Sequence, residues 1–406
     1  MTSEQQPPHP QRPTVETVTR TASGPGQKKN TGRRRRAGWP AVLVGLAILC
    51  VVTVTATVLR SNGTLEAWEQ TTADTSEAEQ VTLGYFGNLT HGPALAGVER
   101  EFFRDALGET ELKTQVFTTG PTTIEAMNSG EVDIAFMGPN PAINSFVQSG
   151  GQSVTVVAGA TSGGAQFIVS DDVSGEDDLA GRTFATPDFG GTQDVALRVW
   201  LKENGYEVDT GTPESVSITP MLSGQALQTF RQGSIDGFWG PQPWVTRMVQ
   251  EENGRVLVDE RDLWPEGRYP TTVVAVRTDF MKEHPQTVQK MLSGLEDSVE
   301  YLNTAASSEV TKTLNDALKA ARTEPLDQDT IEGSLEAMEW TTDPMESTYD
   351  TLLANGVEAG TTEQASLDGL VDTSLINTVR EDHGLNPVGA APAVPVPAGA
   401  GRKEPA

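Results

Sequence analysis

The chain has 406 residues, 29 basic and 56 acidic side chains, a net charge of −27 and a single cysteine. Because Cys50 has no partner, disulfide frameworks and four-cysteine zinc sites are excluded. The acidic balance argues against a nucleic-acid-binding surface, since such surfaces neutralise phosphates with clustered lysine and arginine.

The first 60 residues differ in charge from the rest. They carry nine basic and two acidic groups, a net charge of +7, which leaves −34 on the remainder. Residues 1–37 are rich in Pro, Gln, Thr and Ser without apolar periodicity, which predicts a disordered segment. It ends in four arginines, residues 33–36. A basic head and an acidic body indicate two compartments.

An uncharged run follows the arginines. Residues 38–59 span about 33 Å as a helix, enough to cross the hydrocarbon layer. This predicts a single transmembrane anchor in the cell membrane, and the arginines would hold the N-terminus in the cytoplasm. A lipoprotein signal at Cys50 and a cleaved signal peptide are the alternatives. All three place the acidic body outside the cytoplasm.

The body between the flanking segments is predicted to be α/β. Residues 60–80 suit a tether, and residues 386–406 form a disordered Pro/Ala-rich tail. The body of about 305 residues is larger than one core usually holds. In chain order it reads strand 81–86, helix 93–107, strand 115–118, helix 122–129, strand 132–136, a helix from Pro139 and strand 154–158. Strands that alternate with helices predict parallel βαβ units.

A second series repeats this plan. Residues 166–169 and 182–185 read as strands, 194–204 as a helix, 225–231 as a helix and 235–239 as a strand. The corner Gly138-Pro139-Asn140-Pro141 returns as Gly240-Pro241-Gln242-Pro243 about 100 residues later. A late strand, 269–277, precedes helices at 286–303, 308–321, 330–339 and 376–382. This predicts a discontinuous lobe 1 (81–165 and 269–385) and an inserted lobe 2 (166–268).

The residues favour binding over catalysis. The chain has no nucleophile elbow, no H-E-x-x-H and no phosphate-binding loop. Helices instead start directly after strands at several Gly-Pro or Gly-Thr corners, where free N–H groups and the dipole attract anions. In open α/β sheets such ends gather in one crevice. The candidate ligand contacts are polar, glycine or aromatic residues near these corners: Asn88, His91, Asn140, Ser162, Gly163, Gly191, Thr192, Gln193, Trp239 and Gln242.

Several runs resemble the substrate-binding proteins of sulfonate, taurine and nitrate ABC importers. They are residues 84–95, 138–144, 158–165, 192–198 and 259–265. The resemblance adds Tyr85 and Phe86 to the candidate contacts. It implies a two-lobed type II periplasmic-binding-protein fold with two crossover strands and a ligand trapped by hinge closure.

The resemblance also implies a function. A monomer without metal or cofactor would capture a small anion, an aliphatic sulfonate or taurine, and deliver it to an ABC permease and its cytoplasmic ATPase. Phe86, Trp239 or Trp244 would face the ligand's tail. Nitrate or bicarbonate and a thiamine-precursor pyrimidine are alternative ligands, and a membrane-tethered sensor is an alternative role. Pyrimidine synthases share the fold but carry a cysteine-rich motif, which this body lacks.

Overall fold

The computed structural model describes residues 77–389. They contain two separate β-sheets, and helices pack against each of them. The first sheet contains six strands in the order β11-β4-β10-β3-β1-β2 and the second contains five in the order β7-β6-β8-β5-β9. The strands are β1 Gln80–Phe86, β2 Glu111–Phe117, β3 Ile134–Met137, β4 Val154–Gly163, β5 Ala165–Val169, β6 Thr183–Thr186, β7 Ser217–Pro220, β8 Gly237–Pro241, β9 Arg255–Asp259, β10 Pro270–Arg277 and β11 Met338–Trp340.

Thirteen α-helices of the described chain cover these sheets. They are α1 Gly92–Glu99, α2 Phe102–Leu107, α3 Gly120–Asn128, α4 Pro139–Gln148, α5 Thr192–Glu203, α6 Ser223–Arg231, α7 Trp244–Glu252, α8 Thr278–Glu283, α9 Pro285–Thr304, α10 Ser307–Ala320, α11 Gln328–Leu335, α12 Tyr349–Glu358 and α13 Ser374–Asp382. Below, lobe 1 means residues 77–163 and 270–389, and lobe 2 means residues 165–259.

Both sheets follow one strand plan. In lobe 1, β1 pairs in parallel with β2 and β3, and β10 pairs antiparallel with β3. In lobe 2, β6 pairs in parallel with β7 and β8, and β5 pairs antiparallel with β8. The carboxyl ends of the parallel strands therefore lie at one edge of each sheet, which is where an α/β sheet presents its loops and helix starts.

Each sheet is buried on both faces. Buried apolar side chains form two clusters in lobe 1, around Phe136 and around Ala135, which are neighbours on β3 and point to opposite faces. Lobe 2 has two further clusters, around Phe167 and around Ile168 on β5. Both sheets mix parallel and antiparallel pairings, and their central strands are almost continuously apolar because helices cover both faces.

Four local features differ from the sequence-based predictions. The predicted helix 93–107 is divided into α1 and α2 at Glu101, whose φ of 64° is left-handed. The predicted helix 330–339 ends at Leu335, and Met338–Trp340 instead pairs with the end of β4. The helix at the second Gly-Pro corner begins at Trp244, because Gly240 and Pro241 continue the β8 pairing with β5. Strands β7 and β9 and helices α8 and α12 were not predicted.

The predicted basic segment, the anchor at 38–59 and most of the tether and tail lie outside the described residues. Within residues 77–389, no helix is long and apolar enough to cross a membrane.

Candidate functional site

A cavity of about 50 Å³ lies between the two lobes, at the carboxyl ends of their parallel strands. A water molecule needs roughly 10–15 Å³ on this measure, so the cavity holds a few small groups. Lobe 1 lines it with Phe86, Asn88, Thr90, His91, Thr118, Gly120, Gly138, Pro141, Thr271 and Thr272. Lobe 2 lines it with Pro187, Asp188, Gly191, Thr192, Gln193, Ser223 and Pro241.

Four helices begin at this cavity. Helices α3 and α4 come from lobe 1 and α5 and α6 from lobe 2, and each has at least one residue of its first turn in the lining. None of the four is capped by the side chain of its N-cap residue. The first backbone N–H groups of a helix have no partner within the helix, and the dipole is positive there. Both lobes therefore present donors for an anion.

Two threonine hydroxyls in the lining have no hydrogen-bond partner among the residues that the structure describes. Thr192, at the start of α5, is 5% exposed, and Thr272, on β10, is 1% exposed. The Oγ1 atom of each is buried without a partner within the described chain. A buried polar group without a partner costs about 1–3 kcal/mol, so such atoms are expected to pair when a ligand binds.

His91 and Phe86 form one wall. Their rings stack with centroids 4.4 Å apart. The Phe86 N–H donates to His91 Nδ1 at 3.2 Å, which leaves Nε2 as the protonated nitrogen of the neutral ring. Burial lowers the pKa of His91 to about 3. His91 is therefore neutral at physiological pH and provides a donor without a charge.

The cavity also contains a carboxyl group. Asp188 lies between β6 and α5, and its Oδ2 has no hydrogen-bond partner within residues 77–389. Burial raises the pKa of Asp188 to about 7, and the nearby Asp194 carboxylate adds to the rise. Asp194 is itself paired with Arg198, 2.9 Å from Oδ2 to Nε.

The lobes touch at several points. At the cavity, a Cβ built at Gly138 of lobe 1 would lie 2.4 Å from Thr192 Oγ1 of lobe 2. Outside the cavity lining, Thr330 Oγ1 on α11 donates to Gln250 Oε1 on α7 at 2.9 Å. An exposed ion pair, Lys202 to Glu358 at 3.0 Å, also joins the lobes. The two lobes are therefore in direct contact in this structure.

Six predicted contact residues lie in the lining: Phe86, Asn88, His91, Gly191, Thr192 and Gln193. The structure places the other six elsewhere, as follows. Tyr85 belongs to the lobe 1 core. Asn140 Nδ2 donates to the Leu352 carbonyl at 3.4 Å. Ser162 lies in a separate surface depression beside Arg261.

The remaining three are held by the lobe 2 core and the crossover. The Trp239 ring stacks on the Phe167 ring with centroids 5.4 Å apart, and Trp239 Nε1 donates to Glu260 Oε2 at 2.7 Å. The Gln242 side chain accepts from the Thr246 N–H at 3.3 Å. At Gly163 φ is +71°, and a Cβ there would lie 2.7 Å from the Ala337 carbonyl oxygen, so this close approach requires glycine.

Sequence reasoning missed five polar lining residues: Thr118, Asp188, Ser223, Thr271 and Thr272. Two of them follow parallel strands, Thr118 after β2 and Asp188 after β6, and Ser223 begins α6. Their position at strand ends and helix starts was a usable signal. Thr271 and Thr272 lie within a strand that reads as buried, so the sequence gives no sign of their exposure to the cavity.

The described body is similar to several binding proteins. The taurine-binding periplasmic protein of Escherichia coli is 27% identical over 231 residues, 57% of this chain and 69% of that protein. The bicarbonate-binding protein CmpA of Synechococcus elongatus is 25% identical over 264 residues, 59% of this chain and 57% of its own length. A binding protein of Brucella abortus is 24% identical over 191 residues, 46% of this chain, and the match spans only 56% of that protein's length.

Solved structures show the same fold at low identity. The nitrate-binding protein NrtA of Synechocystis superposes with a TM-score of 0.64 and 15% identity, covering 75% of this chain and 89% of that one. The alkanesulfonate-binding protein SsuA of Xanthomonas axonopodis, bound to MOPS, superposes with a TM-score of 0.60 and 16% identity, covering 73% of this chain and 99% of that one.

The sequence matches the NMT1-like family over residues 74–315, more than half of the chain. The protein therefore belongs to the NMT1-like family and has the two-lobed α/β fold of the periplasmic binding proteins.

Proposed function

We propose that this protein is the extracytoplasmic solute-binding component of an ABC importer, which captures a small organic anion between its lobes and delivers it to a permease coupled to an ATPase. The observation that carries the proposal is the convergence of four helix N-termini, two from each lobe, on one cavity with two unpartnered threonine hydroxyls. Donors from both lobes would make ligand binding and closure one event. No covalent step is involved, and the relatives with named ligands are binding proteins.

An aliphatic sulfonate or taurine is the ligand we favour. A sulfonate head group presents three acceptor oxygens, which suits donors arriving from several helix starts. The apolar part would contact Phe86 and the ring faces of Pro141, Pro187 and Pro241. These residues take the role that sequence analysis gave to Trp239 and Trp244. The small cavity favours a short chain over a bulky buffer sulfonate.

Nitrate or bicarbonate is the second candidate. Both are small enough for the cavity, and the likeness to CmpA and NrtA favours them. Neither would use the apolar wall of Phe86. A pyrimidine would require an aromatic stacking face, and Phe86 is already stacked on His91.

The membrane attachment and the orientation remain proposals from the sequence, with residues 38–59 as the anchor. In the rival role of a membrane-tethered sensor, ligand binding would be the same but no permease would be needed. Uptake of labelled ligand by cells with and without the protein separates the two roles.

Thermal unfolding and calorimetry of the full-length chain test the ligand class. Taurine, ethanesulfonate, nitrate, bicarbonate and a pyrimidine are titrated in parallel. A true ligand at a hundredfold excess over its Kd adds about 2.7 kcal/mol to the free energy of unfolding, which raises Tm by several degrees. Stabilisation by the pyrimidine alone, or by none of the anions, would refute the proposal.

A further inference from the structure

Asp188 is a carboxyl group that the proposed anion site does not need. Among the described residues that line the cavity, it is the single carboxylate, and none is lysine or arginine. Its Oδ2 has no hydrogen-bond partner in the described chain. The lining therefore contains a carboxyl oxygen that can accept a hydrogen bond from a ligand, close to four helix N-termini whose N–H groups can donate to a ligand.

The groups around Asp188 leave its charge uncompensated. On α5, Asp194 repels it, and Arg198 is engaged with Asp194 at 2.9 Å and Asp209 at 3.3 Å. Across the cavity, His91 of lobe 1 is neutral, since its pKa is lowered by burial. From α3, only the Gly120 backbone amide favours the ionised form of Asp188.

A plain anion would meet this carboxylate at close range. Two negative charges a few ångströms apart repel strongly when water is excluded. The repulsion disappears if the ligand itself carries a positive group that pairs with Asp188. A charge-assisted hydrogen bond between an ammonium group and a carboxylate is stronger than a neutral one.

We propose that Asp188 determines specificity by binding a cationic, hydrogen-bond-donating group of the ligand. The site would then take a zwitterion, whose acid group lies at the helix N-termini and whose protonated amine contacts Asp188, in preference to a plain anion. This inference rests on the proposed function and narrows its substrate class. It separates aminosulfonate-like ligands from simple sulfonates, nitrate and bicarbonate.

Taurine and ethanesulfonate are the matched probes, because they differ by one amino group. Calorimetry measures the Kd of each for the wild-type chain, for Asp188→Asn and for the control Asp209→Asn. Asparagine keeps one oxygen acceptor for the Gly120 amide, removes the charge and replaces the other oxygen with an NH2 group. Asp209 is on the same lobe, outside the cavity lining. The wild type and Asp209→Asn should bind taurine at least tenfold more tightly than ethanesulfonate, and Asp188→Asn should lose this preference.

Three results overturn the inference. The first is equal affinity of the wild type for both probes. The second is an unchanged preference in Asp188→Asn, which would leave Asp188 with only a structural role between the lobes. The third is ethanesulfonate binding by the wild type with uptake of one proton, measured in buffers of different ionisation enthalpy. Asp188→Ser repeats the test if Asp188→Asn fails to fold. The first and third results leave the proposed function intact, whereas a folded wild type that binds neither sulfonate, nitrate nor bicarbonate refutes both.

Discussion

Replacing Thr272 with valine should change stability and affinity in opposite directions. Its hydroxyl is buried on β10 without a partner among residues 77–389, and a β-branched residue of the same shape fits the strand there. Removing an unpaired buried hydroxyl should raise the free energy of unfolding of the ligand-free protein by about 1 kcal/mol. If the hydroxyl donates to a bound anion, its loss costs about 1.5–3 kcal/mol of binding, which corresponds to a roughly tenfold to 150-fold higher Kd.

Urea unfolding without ligand and calorimetry with taurine measure the two effects. Thr362→Val is the matched control, because its Oγ1 is also buried without a partner in the described part of the chain but lies outside the cavity lining. The control should show the stability gain without the affinity loss. A Thr272→Val protein that binds as tightly as the wild type, or that is less stable by 1 kcal/mol or more, would refute the placement of this hydroxyl against the ligand.

Three further predictions concern closure and pH. Gly138→Ala places a methyl group 2.4 Å from Thr192 Oγ1 in the other lobe, so it should weaken ligand binding at least tenfold while Tm stays close to that of the wild type. Gly175→Ala is its control, because a methyl group there would meet no atom of the described chain within 4 Å. Equal affinities of the two variants would contradict the contact between the lobes. Burial lowers the pKa of His91 to about 3, so unfolding below about pH 6.5 takes up a proton. The free energy of unfolding should therefore fall by about 1.4 kcal/mol for each pH unit below about 6.5. In urea titrations from pH 4 to 7, His91→Asn should lose this contribution to the slope, and an unchanged slope would speak against a buried neutral His91. Burial raises the pKa of Glu260 to about 7, so its contribution to stability is complete below about pH 4.5 and is lost as pH rises through 7. Glu260→Gln keeps an oxygen acceptor for Trp239 Nε1 and should be more stable than the wild type at pH 8 but not at pH 4. A stability difference that does not change with pH would count against this reasoning.

The fold was largely predictable because its periodicity is strong. Apolar strands followed by Gly-Pro or Gly-Thr helix starts gave the order of elements through residue 169, and the repeat of the Gly138 corner at Gly240 indicated two sheets. Local patterns failed where tertiary contacts decide. Met338–Trp340 continues an apparent helix in sequence, yet it becomes an edge strand because β4 offers it a partner.

The cavity was less predictable than the fold. Residues at helix starts, such as Thr192, could be proposed from the dipole argument alone, whereas the direction of a side chain depends on the whole packing. Asn140 and Gln242 occupy matching corners, but each turns into its own lobe and bonds to the Leu352 carbonyl or to the Thr246 amide. Asp188 escaped notice because a single acidic residue in a loop is ordinarily a solvated surface group.

Both ends of the described chain leave from lobe 1. The Ala78 N–H donates to Thr287 on α9, Lys290 of the same helix pairs with Glu77 at 2.7 Å, and the Val388 N–H donates to Asn377 on α13. The chain passes between lobe 1 and lobe 2 at Gly164 and at residues 260–269. A segment attached to either end of the described chain is therefore connected to lobe 1. Lobe 2 could rotate relative to lobe 1 without moving that segment.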